Sequence, residues 1–304
     1  MRERGQGTVE WVGVLGVVGW FFAVLVGVGV RVPGGEVARA LADRLLCAVS
    51  LADGCGDEPA MIAAYGTEVG RLIREHMPTL AFEEGSRALP VDFRRCRSSS
   101  CGDGPEDGLV QRTDERLPVT AFVHVVDCRR RGTAAPPGAR CGGPAAGNLY
   151  LQYWFYYADS ATLRDLPAVG DAGYHADDWE SVQLRLRPDG EVDQRASSHH
   201  GYNYARGIAN WGSDAGIGPL AELAEEVGAR APNGWGPRTG LLLVSGGSHA
   251  GNAAGGERTA RFTPGRRVHL IPLEPIAAAG GSRFAVSPPW RKRVWLDPEA
   301  EGTD

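Results

Sequence analysis

The sequence predicts a mainly β protein, preceded by a transmembrane helix and a short helical hairpin. Three observations carry that prediction. From Pro118 onward, runs rich in β-branched and aromatic residues alternate with Gly, Pro and Asp turn chemistry. Residues Trp11 to Val30 form an uncharged run of 20 residues. Between the two, apolar residues recur at three- and four-residue spacing, the period of a helix with one buried face.

Taken in order, the apolar run comes first. A helix of that length spans about 30 Å, the hydrocarbon thickness of a bilayer. A secretory signal peptide usually has a shorter apolar region, and later cleavage of the segment stays open. Arg2 and Arg4 precede the run, which leaves the N-terminus cytoplasmic and the bulk of the chain outside, although Arg31 weakens the contrast. The expectation is a single-pass protein of the cell membrane, with a leader over 1–10 and a span over 11–31. Met1 to Glu10 resembles a type IV or Tad-type prepilin leader. That resemblance implies cleavage between Gly5 and Gln6, Glu10 at the fifth mature position, and a prepilin peptidase as partner. An ordinary anchor with a polar start is the alternative.

Two helices follow, together a helical neck over 32–85. The first fits Gly35 to about Ser50, with Val37, Ala40, Leu41 and Ala48 in register. The second fits Pro59 to Met77, with proline in its first turn and Ile62, Tyr65, Val69, Leu72, Ile73 and His76 on one stripe. His76 sits at the edge of that stripe.

The six cysteines fall into local pairs: Cys47 with Cys55, Cys96 with Cys101, and Cys128 with Cys141. No pair has Cys-x-x-Cys spacing, so disulfides in an oxidising compartment are favoured over metal knuckles.

In the β region the predicted strands are Val119–Val126, Leu149–Tyr157, Glu180–Arg187 paired with Val192–Ser197 through a Pro188-Asp-Gly turn, Leu241–Val244, and Val268–Leu273. A short amphipathic helix fits Pro219 to Arg230. Trp154, Tyr156, Trp211, Trp235 and Trp290 read as core in preference to a ligand-lining surface.

The segment Tyr174 to Arg187 carries the functional signal. Extended residues of one parity share a face. The even positions are Asp178, Glu180, Val182, Leu184 and Leu186, so an apolar face ends in two carboxylates. Buried carboxylates need compensation: a basic partner, a shared proton or a cation. His175 supplies a further ligand for calcium, magnesium or zinc. The alternative is that the strand begins at Ser181 and both acids sit in solvent.

Tyr153-Trp-Phe-Tyr-Tyr-Ala-Asp159, His175-Ala-Asp-Asp-Trp-Glu180, Ser198-His-His-Gly201 and Gly247-Ser-His-Ala250 resemble, in order and spacing, the landmarks of the Vps62-like family. They are also similar to the related necrosis-inducing proteins (NPP1, NLP), marked by a Gly-His-Arg-His-Asp-Trp-Glu heptapeptide. Arg87-Ala-Leu-Pro-Val91, Pro288-Pro-Trp290 and Trp295 are similar to the flanking segments, and the resemblance covers about 87–298. It implies a β-sandwich over 86–298, with 299–304 left as a flexible tail. It also implies a divalent cation, calcium or magnesium before zinc, held by Asp159, His175, Asp178 and Glu180. Tyr174, Ala176 and Asp177 stand where the heptapeptide has Gly, Arg and its second His, which bears on the identity of the cation and on any toxin-like activity. His199, His200, Ser248 and His249 are placed by the resemblance around the same end of the sandwich, where they would bond the cation's ligands or touch the bound molecule. As isolated loop residues, the histidines would bond backbone instead.

The formal net charge of -5 gives no basic footprint for nucleic acid. No Gly-rich phosphate loop joins a strand to a helix, which argues against nucleotide cofactors. Gly246-Gly-Ser-His-Ala250 lacks the second glycine of a nucleophile elbow. The expected function is surface recognition of a glycan or lipid head group through a cation. The alternatives are a metal-dependent hydrolase using His199 or His200 as base, and a structural component of a pilus or secretion apparatus.

Overall fold

The structure, a computed structural model, describes residues 57–82, 89–94, 119–129, 135–161, 174–198, 201–203, 234–244, 248–253, 261–262, 268–279 and 283–301. All belong to one compact unit, Gly56–Asp304. The leader, the span over 11–31, the first helix of the hairpin, the helix expected over 219–230, Trp211, His199 and His200 lie outside the described residues, as do the pairs Cys47–Cys55 and Cys96–Cys101. Among the described residues no helix is long and apolar enough to cross a membrane.

The described chain is mainly β, with two mixed sheets and few helices. Helix α1 (Asp57–His76) comes first and is kinked at Gly66, whose φ of 81° is a conformation glycine adopts without steric cost. Met61, Tyr65, Val69 and Ile73, four residues apart, are its buried apolar side chains, while Ile62, Leu72 and His76 flank them. Strand β1 (Thr79–Phe82) follows directly, parallel to β8 (Leu241–Val244), with β10 (Arg261–Phe262) and β9 (Gly251–Asn252) at the edges of this smaller sheet.

The larger sheet runs in the order β11 (His269–Pro272), β2 (Thr120–Asp127), β3 (Leu149–Ala161), β4 (Tyr174–Leu186), β5 (Val192–Ser198), β6 (Gly201–Asn203), and β7 (Gly236–Pro237) also pairs with β5. Only the β11 to β2 pairing is parallel. The hairpin from β4 to β5 turns as its sequence predicts. Arg187 and Glu191 bond across the turn, and Gly190 takes the left-handed position with φ 87°.

Both faces of the large sheet are buried. On one, Ala121, Val123, Val125, Leu151, Tyr153, Phe155, Val182 and Leu184 pack with the α1 stripe and with Leu80, Phe82, Leu242 and Val244 of the smaller sheet. On the other, Phe122, Trp154, Tyr156 and Trp179 pack with Val91, Phe93, Val294 and Trp295. A strand covered on both sides has no reason to alternate, hence the run Leu149 to Tyr157, interrupted only by Gln152. Trp154, Tyr156 and Trp235 are core, as expected, and Trp290 is partly buried.

Two boundaries differ from the sequence reading. The second helix of the neck and β1 are built into the β unit: Tyr65 donates to the Val123 carbonyl at 2.6 Å and Tyr153 to that of Ile73 at 2.6 Å. The apolar stripe of α1 needs the sheet face to bury it, so no domain boundary falls near 85. Glu299 and Ala300, expected in the tail, are docked instead, because Glu299 gathers Tyr150, Arg185 and Trp235 Nε1. The Cys128–Cys141 disulfide is present, joining residues with Cα atoms 5.0 Å apart.

Candidate functional site

Strand β4 begins at Tyr174, not Ser181, so Asp178 and Glu180 lie within it, opposite Tyr157 and Phe155 of β3. Their parity is that of Val182 and Leu184, and both acids therefore stand at the end of the core between the sheets. Asp159, opposite Ala176 and 1 % exposed, belongs to the same face of β3 as Tyr157. The polar end of this face was legible in the sequence; its partners were not.

Asp178 is buried and pairs with His249, Oδ2 to Nδ1 at 2.9 Å, across 71 positions of sequence. His249 follows the turn at Ser248, between β8 and β9. Its ring lies flat on that of Tyr157, centroids 3.9 Å apart and planes within 6°. Facing a carboxylate, Nδ1 is the donor, and in the neutral imidazole Nε2 then carries the lone pair. That Nε2 is buried without a hydrogen-bond partner.

The backbone is strained on both sides of this pair. His249 and Asp177 are the non-glycine residues with positive φ among those described, 57° and 58°. Asp177 is held there by Tyr156 Oη donating to Oδ1 at 2.7 Å and by the Ala285 amide donating to Oδ2 at 2.6 Å. The reversed residue is followed by Asp178 and Trp179, both buried, on opposite faces.

Glu180 accepts from Ser197 Oγ at 2.5 Å, and the same Oγ accepts from the Ser181 amide. Burial, then the neighbouring Asp178 charge, hold the Glu180 carboxyl well above the usual carboxylate range, against a weaker opposite pull from the Ser197 bond and Lys292. Part of the side chain still meets solvent, but desolvation of the carboxyl dominates. Burial followed by the Glu180 and Asp178 charges likewise raises the Tyr157 hydroxyl.

Of the expected ligands, the strand register gathers Asp159, Asp178 and Glu180 on one face. His175 stands opposite Ser160, at the other parity from Asp159, and its Nδ1 bonds the Asp177 carbonyl at 2.7 Å. Ser248 is nearly buried and its Oγ accepts from the Ala250 amide at 3.4 Å. Among the described residues, no three His, Cys, Asp or Glu side chains are close enough to hold a metal ion by themselves. The family resemblance puts His249 at this end of the fold; missed by sequence reasoning were its bond to Asp178, its stack on Tyr157, and Ser197. The register of the β4–β5 hairpin, readable from its turn, would have placed Ser197 beside Ser181.

No protein-family model, curated protein or solved structure matches this chain.

Proposed function

We propose that this chain is a membrane-anchored, extracytoplasmic binding module in which a divalent cation, held at the Asp178–Glu180 end of a β-sandwich, orients a glycan or lipid head group. One observation carries the reading. Two neighbouring carboxylates stand at the end of an apolar face, beside a histidine whose Nδ1 is fixed by one of them and whose buried Nε2 has no partner.

The donor chemistry of these residues suits a cation, although among the described residues no three such side chains stand close enough to close around one without a side-chain rearrangement. A metal-bound imidazole typically donates its other nitrogen to a carboxylate, the relation between His249 and Asp178. Glu180, with Asp159 on the same face, supplies the hard oxygens that calcium and magnesium prefer, and the imidazole extends the set toward zinc. When bound, the cation would neutralise the carboxylates and polarise an oxygen of the ligand. The chain's own part is to fix the His249 tautomer through Asp178, to hold Glu180 through Ser197, and to brace the imidazole against Tyr157. Two mixed sheets sharing one core agree with the sandwich that the Vps62-like resemblance implies. A metal-dependent hydrolase is the second reading, favoured by the oriented Nε2 lone pair, which also suits a general base.

The test uses the full chain purified in detergent, wild type beside the double variant Asp178→Ala, Glu180→Ala. Bound metal is measured by elemental analysis and the thermal midpoint is followed with calcium, magnesium and zinc. Binding to glycan arrays and anionic vesicles is read with and without chelator. The expected result is stoichiometric metal and a cation-dependent midpoint in wild type alone. A metal-free wild type with a cation-independent midpoint overturns the reading.

A further inference from the structure

The C-terminal segment 289–301 crosses the face of the large sheet that looks away from α1. Side chains of the sheet take its backbone carbonyls one by one. Gln152 Nε2 donates to Val294 at 2.9 Å, His124 Nε2 reaches Trp295 at 2.9 Å, and Arg195 donates to Pro298 at 2.7 Å and Ala300 at 3.3 Å. His124 is fully buried and its ring lies against that of Trp295, centroids 3.4 Å apart and planes within 10°. Its other nitrogen, Nδ1, is 2.5 Å from Oε1 of Glu274, the first residue of helix α2 (Glu274–Ala278).

This geometry fixes a proton count. A carbonyl only accepts, so Nε2 carries a hydrogen. A nitrogen and a carboxyl oxygen 2.5 Å apart need a proton between them, since two lone pairs at that distance repel. The pair therefore holds one proton on that line, on imidazole or on carboxyl. Glu274 Oε2 is buried with no hydrogen-bond partner, which an ionised carboxylate tolerates poorly, although the side chain as a whole is 31 % exposed. The neutral acid with neutral imidazole is the favoured form.

We propose that the segment around Trp295 is a proton-gated strap: the single proton between His124 and Glu274 holds it on the sheet, and loss of that proton in mildly alkaline solution frees it. The groups facing the pair are the Val125 amide, Gln152 opposite His124 on β3, and the Trp295 ring and carbonyl, none of them charged. Arg291 and Arg293 of the strap are exposed, and Lys292 acts on Glu180. The far end of the strap stays anchored through Glu299. The proposal is independent of the cation reading.

Linkage gives the window. Burial above all pushes His124 down from 6.5 to about 3, and burial likewise pushes Glu274 up from 4.5 to about 8. Between 4.5 and 6.5 the open and closed forms each hold one proton, and closure is independent of pH. From 6.5 to about 8 the open form has lost its proton while the closed form keeps it. Closure then weakens about tenfold per pH unit. Below 4.5 the open form takes a second proton and closure weakens again, down to about 3.

Amide hydrogen exchange on the full chain tests this. Protection factors, corrected for base catalysis, are compared for the Trp295, Leu296, Asp297 and Arg140 amides, which bond within or onto the strap, and for amides of β3 as an internal reference. In wild type the strap amides should lose about tenfold in protection per pH unit above about 6.5, while β3 holds. In Glu274→Gln, whose amide donates to the neutral imidazole without titrating, the strap should stay protected throughout. Equal slopes in both proteins, or parallel loss in strap and β3, overturn the proposal. Should the variant not fold, a flat strap-to-β3 ratio in wild type is enough to overturn it.

Discussion

Replacing Glu180 by glutamine should stabilise the metal-free protein, and increasingly so as pH rises. The amide keeps the shape of the side chain and still accepts from Ser197 Oγ, but it cannot ionise. The folded-state pKa of Glu180 lies well above its ordinary value of 4.5. Its contribution to stability is therefore intact below that value and is lost as pH climbs toward the folded pKa. In that window the native state binds one more proton than the unfolded chain, a slope of about 1.4 kcal/mol per pH unit. Between the ordinary carboxylate range and the raised folded value the glutamine variant should gain steadily on wild type as pH rises, by no more than that slope because Glu180 keeps some contact with water. Urea unfolding at stepped pH in the presence of chelator measures the gap. Adding a divalent cation at about a hundredfold excess over its dissociation constant should return about 2.7 kcal/mol to wild type and much less to the variant. Parallel pH curves would refute the buried-acid argument. A gap that no divalent cation alters would refute the cation assignment.

Asp178→Asn should lower cation affinity by about 10- to 100-fold, because an amide no longer fixes which nitrogen of His249 carries the proton; titration calorimetry reads this, and unchanged affinity excludes His249 from the site. Tyr153→Phe leaves the Ile73 carbonyl buried and unsatisfied, so the urea midpoint should fall by the equivalent of about 1 to 2 kcal/mol with an unchanged slope. Cys128→Ser with Cys141→Ser opens a loop of sequence separation 13 and should cost about 3 kcal/mol in chemical unfolding, whereas reducing agent should add nothing to that loss. Gly251→Ala would bring a methyl group 3.0 Å from both Ala196 Cβ and Leu242 Cδ1, where β9 meets the large sheet. About 1 to 3 kcal/mol should be lost, seen as a lower thermal midpoint.

Much of this protein is written locally. The period of two in Tyr174 to Leu186 put Asp178 and Glu180 on the face of Val182 and Leu184, and the structure has them there. The Pro188-Asp-Gly turn fixed a hairpin register, the spacing of Cys128 and Cys141 fixed a closed loop, and the four-residue repeat of α1 fixed its buried stripe. In each case the signal and its consequence lie within a dozen or so residues, where covalent geometry limits the alternatives.

The family resemblance puts His249 near the carboxylates, but which atom pairs with which was decided only by tertiary structure. His249 reaches Asp178 because β8 and β9 are laid over the end of the large sheet, and nothing near residue 178 in the sequence announces a histidine 71 positions away. The same holds at the C-terminus. An acidic, proline-containing end reads as a tail, yet Glu299 is drawn in by Tyr150, Arg185 and Trp235, donors from three separate strands and loops that converge only after the sheet has formed. Periodicity specifies which face a residue occupies. Which other face closes over it depends on the sum of many weak contacts between distant segments, and no short stretch of sequence encodes that sum.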